Sequence, residues 1–254
     1  MAFSSGQKYL AEFVGTFALL LVGGGSAVFT LPLLETFFPG SPPIDVLGRI
    51  LVVSFCFGFV LMALAYAFGD ISGGHFNPAV TISMLVNGRM PARDVVPYLV
   101  AQIVGGIVGI GIIFAIVSGG PASFSTAAQG AALGSQCYSG SGAPGGCGFS
   151  LGAVFLLELA ITFAFVLVIQ LVTRPDSSAK NLAPVAIGTA LLVTNLLAIP
   201  IDGASLNPVR SFSPALLSLY WSSDHWAIAE SWLFWVAPIL GGVLAAVVER
   251  ALRD

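Results

Sequence analysis

The sequence predicts an all-α membrane protein with six transmembrane helices and two half-helices arranged as an inverted repeat. Three observations predict it. Of 254 residues, 57% are hydrophobic and only 8% are charged, against roughly 25% charged in a soluble domain, and the mean hydropathy is +0.97. Apolar stretches long enough to cross a ~30 Å hydrocarbon core, about 20 residues each, recur six times. Two Asn-Pro pairs, Asn77-Pro78 and Asn207-Pro208, each follow a small-residue loop and precede an apolar run too short to cross.

The six long stretches lie near 9–31, 49–68, 95–118, 150–173, 182–200 and 229–248. The first follows Lys8 and resembles a secretory signal. Its length, the Glu12 within it and the absence of a small-x-small cleavage site favour a retained span. The short runs, about 78–88 and 208–219, reach only halfway across at about 1.5 Å per residue. Asn caps a helix by accepting a backbone N–H, and Pro fits the first turn, where its missing donor costs nothing. Both pairs are therefore read as helix starts inside the bilayer.

Basic residues orient the chain. If six helices alternate, Lys8, Arg89, Arg93, Arg174, Lys180, Arg250 and Arg253 share one side, and only Arg49 and Arg210 lie opposite. This predicts a multi-pass protein of the cell membrane with both termini cytoplasmic. The connection 119–149, which contains no charged residue, then faces outward. The net charge of -3 gives no footing for a nucleic-acid partner. Cys56 falls in the second span and reads as a small buried hydrophobe. Cys137 and Cys147 share the Gly/Ser-rich outer connection, either as free thiols or as a disulfide. No metal site and no cofactor are expected.

The chain repeats itself. Glu12-Phe-Val-Gly-Thr16-Phe17 opens one half and Glu158-Leu-Ala-Ile-Thr162-Phe163 the other, and each half supplies three spans and one half-helix. The first repeat covers about 9–118 and the second about 150–250, joined by the outer connection, in a single channel domain over 1–254. With an odd number of spans per half, the second copy enters from the opposite face. The two half-helices then meet N-terminus to N-terminus near the midplane. Each brings roughly half a positive charge there, which repels cations. The amides of Asn77 and Asn207 can donate to a neutral molecule passing between them. The loops Gly73-Gly74-His75 and Gly203-Ala204-Ser205 need partners for irregular backbone, from protein or from a water-filled cavity. Glu12 and Glu158, related by the repeat, are suited to accept N–H groups from those loops.

These motifs resemble the aquaporins of the major intrinsic protein family over the whole chain. Asn77-Pro78-Ala79 matches the family's Asn-Pro-Ala, whereas the second copy reads Asn207-Pro208-Val209. Val209 is expected to add bulk beside the midplane constriction. The resemblance implies an outer filter of Phe57, Asn195, Ala204 and Arg210, with His75 and the loop residues lining the path and a homotetrameric assembly. Phe57 resembles water-selective members, but Asn195 stands where those usually carry His, so a somewhat wider filter is expected. Similar glycerol facilitators tend to have Trp, Gly and an aromatic at the first three positions and Asp after the Arg, where this chain has Ser211.

The function expected is a passive water channel that excludes protons and cations and also passes hydrogen peroxide or other small neutral solutes. A glycerol or small-polyol facilitator is the nearest alternative. A proton-coupled transporter using Glu12 and Glu158, or a structural adhesion protein, is the alternative of another class. Converging positive dipoles oppose the transporter reading. An enzyme is not expected, because the sequence carries no Ser/His/Asp set, metal-ligand cluster or phosphate loop.

Overall fold

A computed structural model describes residues 3–37, 42–140, 148–221 and 225–253. Eleven α-helices appear among them: α1 (Ser5–Leu19), α2 (Gly25–Phe37), α3 (Pro42–Ser72), α4 (Pro78–Val86), α5 (Ala92–Ser118), α6 (Ala122–Gly130), α7 (Leu151–Val172), α8 (Ala183–Asp202), α9 (Pro208–Ser218), α10 (Trp226–Glu230) and α11 (Leu233–Ala251). Six candidate spans of 22 to 30 residues are long and apolar enough to cross a membrane. They coincide with the six apolar stretches of the sequence, extended by a few residues at most ends.

Local chemistry sets the ends. Ser4 caps α1 in a reciprocal box with Gln7, and Ser150 caps α7 through the N–H of Ala153. Asn77 and Asn207 cap α4 and α9, their Oδ1 atoms accepting from Ala79 N at 2.9 Å and Val209 N at 3.0 Å. Pro78 and Pro208 occupy the first turn. At 9 and 11 residues, α4 and α9 are about 14 and 17 Å long, half a bilayer core each.

Helix α1 passes into α2 through a π-helical turn, Leu20–Gly24. Such turns widen a helix locally and cluster at functional sites. Here the widened turn offers Gly23, where a Cβ would lie 2.4 Å from the Phe57 ring. The missing side chain lets the Phe57 ring, on α3, seat against α1.

The long helices pack in repeat-related pairs: α1 lies on α5 and α7 on α11, while α3 lies on α8 across the two halves. The far ends of the half-helices show that they enter from opposite faces. Past the end of α4, Arg89 donates to Gln170 O and Thr173 O at the end of α7. Beyond the end of α9, Trp221 stacks on Phe114 near the end of α5, with centroids 4.4 Å apart. Three consecutive spans separate the ends of α5 and α11, and Arg250 of α11 bonds Val86 O of α4. The second half is thus an inverted copy of the first.

The outward sides of these helices carry exposed Val, Leu and Phe, such as Val96, Val100, Val104 and Ile116 on α5. That pattern is what a lipid solvent requires. The interior is not uniformly apolar. Glu12, Gln102, Glu158 and Gln170 have no exposed surface, and each is engaged by polar partners around the half-helices.

Candidate functional site

The site is built where the two half-helices meet. Phe76 and Leu206, which precede the two asparagines, both adopt left-handed backbone, with φ of 49° and 55°. That conformation is strained for a side chain of this size. It is accompanied by a crossed pair of bonds: Asn77 Nδ2 donates to Leu206 O at 2.8 Å, and Asn207 Nδ2 donates to Phe76 O at 2.9 Å. A primary amide has two N–H groups. One from each asparagine holds the opposite loop, which leaves the second for whatever lies in the cavity between them.

Buried carboxylates meet the loop backbones. Glu12 accepts from His75 N at 2.9 Å and Phe76 N at 2.7 Å, and also from Ser72 Oγ and Gln102 Nε2. Glu158 accepts from Ser205 N at 2.7 Å and Leu206 N at 2.9 Å. The two sets are related by the repeat. Each of these four buried amides is thereby given a partner in the interior, which an irregular loop at membrane depth needs.

Between the loops lies a cavity of about 20 Å³, enough for the centre of about one water. Its wall is mostly apolar in surface, from Leu19, Phe57, Leu61, Phe165, Leu191 and Leu206, with polar groups contributed by His75, Asn77, Asn195, Ser205, Asn207 and Arg210. On the side of Lys8 and Arg89 it meets a wider vestibule of about 610 Å³, lined in part by Gly73, Gly74 and His75. Leu61, His75 and Phe165 belong to both walls. The His75 ring is fixed by Thr81 Oγ1, 3.1 Å from Nδ1, and packs on Tyr98.

Arg210, only 5% exposed, leads from the first turn of α9. Its Nη1 donates to Gly134 O at 2.8 Å and its Nη2 to Gly203 O at 3.3 Å. The guanidinium carbon lies 5.4 Å from the centroid of the Phe57 ring, within cation–π range. Asn195, from α8, lines the same cavity, and its Nδ2 is buried with no protein partner. It offers the cavity a donor that only a small molecule inside can satisfy.

Three groups stand apart from the expected wall. Val209 does not crowd the constriction. Its Cγ1 turns to α5, where a Cβ on Gly106 would meet it at 2.4 Å, so the glycine makes room for that methyl group, and Val209 is not among the residues lining the cavity. Ala204, expected in the filter, is buried and is not among the residues lining the cavity. Its backbone is left-handed, with φ of 57°, and its N–H is tied to Asp202 Oδ1. Pro78, Ala79 and Pro208 sit in the first turns, fully packed, and shape the midplane through backbone alone.

Cys56 is a free thiol, half-buried on α3. Cys147 lies outside the described residues, so its relation to Cys137 does too. Among the described residues no cluster of three or more metal-ligating side chains occurs.

Sequence reasoning missed the Gly134 carbonyl that holds Arg210, the carbonyls of Phe76 and Leu206 that the asparagines clasp, and the apolar wall of Leu19, Leu61, Phe165 and Leu191. A carbonyl has no sequence signature, and a wall leucine is indistinguishable from a core leucine by periodicity. Only the π-turn glycines carried a local signal.

Comparisons with known proteins place the chain in a family. The family model described as "Major intrinsic protein" matches residues 2–249. Aquaporin Z of Rhodopseudomonas palustris is 40% identical over 246 residues, covering 97% of this chain and 93% of the relative. Aquaporin Z of Bradyrhizobium diazoefficiens is 39% identical over 248 residues, covering 98% and 94%. Among solved structures, the aquaglyceroporin from Plasmodium falciparum superimposes with a TM-score of 0.79 over 98% of this chain and 97% of that one. At 22% identity that likeness speaks to the fold alone. With the doubled Asn-Pro motif, the inverted half-helices and a family match over almost its whole length, the chain belongs to the major intrinsic protein family.

Proposed function

We propose that this protein is a passive water channel of the cell membrane. The observation that carries the reading is the head-to-head meeting of α4 and α9. There Asn77 and Asn207 clasp the opposite loops with one N–H each and keep one N–H apiece for the cavity. A water at that point accepts from the asparagines, and its own hydrogens are turned away from the convergence of two positive helix ends. A continuous proton relay through the midplane is thereby disfavoured, and cations are repelled.

Phe57, Asn195 and Arg210 act as the filter at the outer mouth, and Asn77 and Asn207 as the midplane site. His75 and Ser205 line the path on either side. Glu12 and Glu158 hold the loops rather than relaying protons, since their oxygens are occupied by backbone donors. Water is favoured over polyols because Phe57 and Arg210 stand together at the narrow cavity, the guanidinium carbon 5.4 Å from the ring centroid, and the relatives at 40% and 39% identity are named Aquaporin Z. Hydrogen peroxide is the small neutral solute closest to water in size and hydrogen-bonding, and it passes too.

The seven basic residues that share one face favour cytoplasmic termini. The relatives' family supports assembly as a homotetramer. Stopped-flow shrinkage of proteoliposomes tests the reading. Water permeability well above that of protein-free vesicles, with glycerol and urea near background and hydrogen peroxide entering, is expected. Glycerol permeation comparable to that of the lipid-corrected water flux would move the protein to the polyol-facilitator class.

A further inference from the structure

The two re-entrant loops share a small device that differs in one chemical respect. Ser72 and Asp202 end the helices α3 and α8, each five positions before the asparagine of its loop. Ser72 Oγ makes two bonds: it accepts from Gly74 N at 3.2 Å and donates to Glu12 Oε1 at 2.7 Å. Asp202 Oδ1 repeats the first of them, accepting from Ala204 N at 2.8 Å. For the second, the Asp202 carboxyl lies within hydrogen-bonding reach of the Glu158 carboxyl, but an ionised carboxylate has no hydrogen to donate.

Donors around this pair run short. Glu158 has no exposed surface, and its oxygens accept from Ser205 N and Leu206 N. Asp202 is only 4% exposed, and its Oδ2 is buried with no partner. Arg210 acts on both carboxyls through its charge, yet it gives Nη1 and Nη2 to the carbonyls of Gly134 and Gly203. Two adjacent buried carboxylates with no hydrogen between them repel, and a proton held by the pair removes the conflict. It makes one carboxyl an O–H donor to the other, which is the bond that Ser72 gives to Glu12.

We propose that Asp202 and Glu158 share one proton, so that Asp202 positions Glu158, and through it the second loop, as Ser72 positions Glu12 and the first. The pair then sets one negative charge against the one positive charge of Arg210. Neither carboxyl lines the cavity, so the proton is held rather than passed along. Without it, two negative charges would lie behind the filter and push apart the groups that support Gly203, whose carbonyl accepts from Arg210. The shared proton stands on the loop geometry, and its consequence for cation exclusion rests on the filter role of Arg210.

Infrared spectroscopy of the full-length protein in lipid tests the proton directly. A free aspartate or glutamate is ionised at about pH 7, so a carboxylic-acid C=O band at that pH marks a retained proton. The difference spectrum between the parent and Asp202→Asn is expected to show the loss of one such band, because an amide N–H replaces the O–H and leaves Glu158 ionised. Asp202→Ser, which copies the first loop, provides the same difference spectrum independently. Loss of ionised carboxylate alone in these spectra overturns the proposal. A second readout separates a donor from a charge. Asp202→Val, similar in size and without polar side-chain atoms, is expected to lose melting temperature and water flux in proteoliposomes, and Asp202→Ser to recover both. If Asp202→Ser fails as Asp202→Val does, the negative charge rather than the donor is needed and the proposal falls. Parental behaviour of Asp202→Val would remove the positioning role. A parent with the infrared band but no water flux would instead refute the channel reading, so the two failures are told apart.

Discussion

Among the described residues lining the narrow cavity, Arg210 brings the one permanent charge, and its orientation depends on two backbone carbonyls and an aromatic face. Replacing it with Ala removes both the charge and most of the side-chain volume. The Arg210→Ala channel should still pass water but also admit larger or charged solutes; an osmolyte panel with parental selectivity would take Arg210 out of the filter. Asn195 tests the width from the facing helix. Asn195 lines the narrow cavity, and an imidazole in its place is bulkier than the amide. Asn195→His should lower urea and glycerol passage more than water passage, and equal losses would indicate general constriction. Arg210 was legible from its place two residues after Pro208, whereas Asn195 was legible only through the resemblance to the family. A lone Asn in a membrane helix is otherwise read as an interhelical hydrogen-bond partner.

At the scale of elements, the question raised by Val209 is answered by a neighbour 103 positions earlier in the chain, Gly106 of α5. The two form a size-complementary pair: Gly106→Ala would drive a methyl group to within 2.4 Å of Val209 Cγ1. Overpacking of this kind costs about 1–3 kcal/mol, so Gly106→Ala should lower thermal stability in detergent. Adding Val209→Ala should recover part of the loss, the contact with Ser213 Oγ at 2.6 Å retaining the rest, whereas additive losses would show that Gly106 and Val209 do not share the space. The re-entrant loops provide a second test. Glu12→Ala orphans the N–H groups of His75 and Phe76, at about 1–3 kcal/mol for each buried unsatisfied donor. The expected outcome is a large fall in melting temperature together with lost water flux, and Glu158→Ala should behave alike through Ser205 and Leu206. Retained folding with selective loss of a pH-driven uptake would instead favour proton transfer.

Over the whole molecule, polar contacts gather where the half-helices and their loops interrupt the apolar body. At the end bearing most of the basic residues, Asn87 donates to both Gln170 and Glu249, and Glu249 lies 3.2 Å from Arg253. This ties α4 to α7 and α11 with groups that water would otherwise satisfy. The asymmetry of charge predicts that an epitope tag at either terminus is reached by antibody only after the membrane is permeabilised. Labelling of intact cells would reverse the orientation.

The sequence by itself determined the class, the six spans, the two half-helices and their inversion. Those follow from composition, from span length and from the parity of crossings, all properties that add up along the chain. Asn77, Asn207 and Arg210 were legible for the same reason, since a cap and its first turn are local. Tertiary structure alone decided which way Val209 points, that Ala204 is withdrawn from the wall, and that the asparagines spend one N–H each on the opposite loop. It also brought Gly134 to Arg210 and Asp202 to Glu158. These depend on carbonyl directions and on side-chain volumes contributed by segments far apart in sequence, and neither is encoded in residue type or spacing. The width of the channel is a matter of packing between distant segments, whereas its existence was written along the chain.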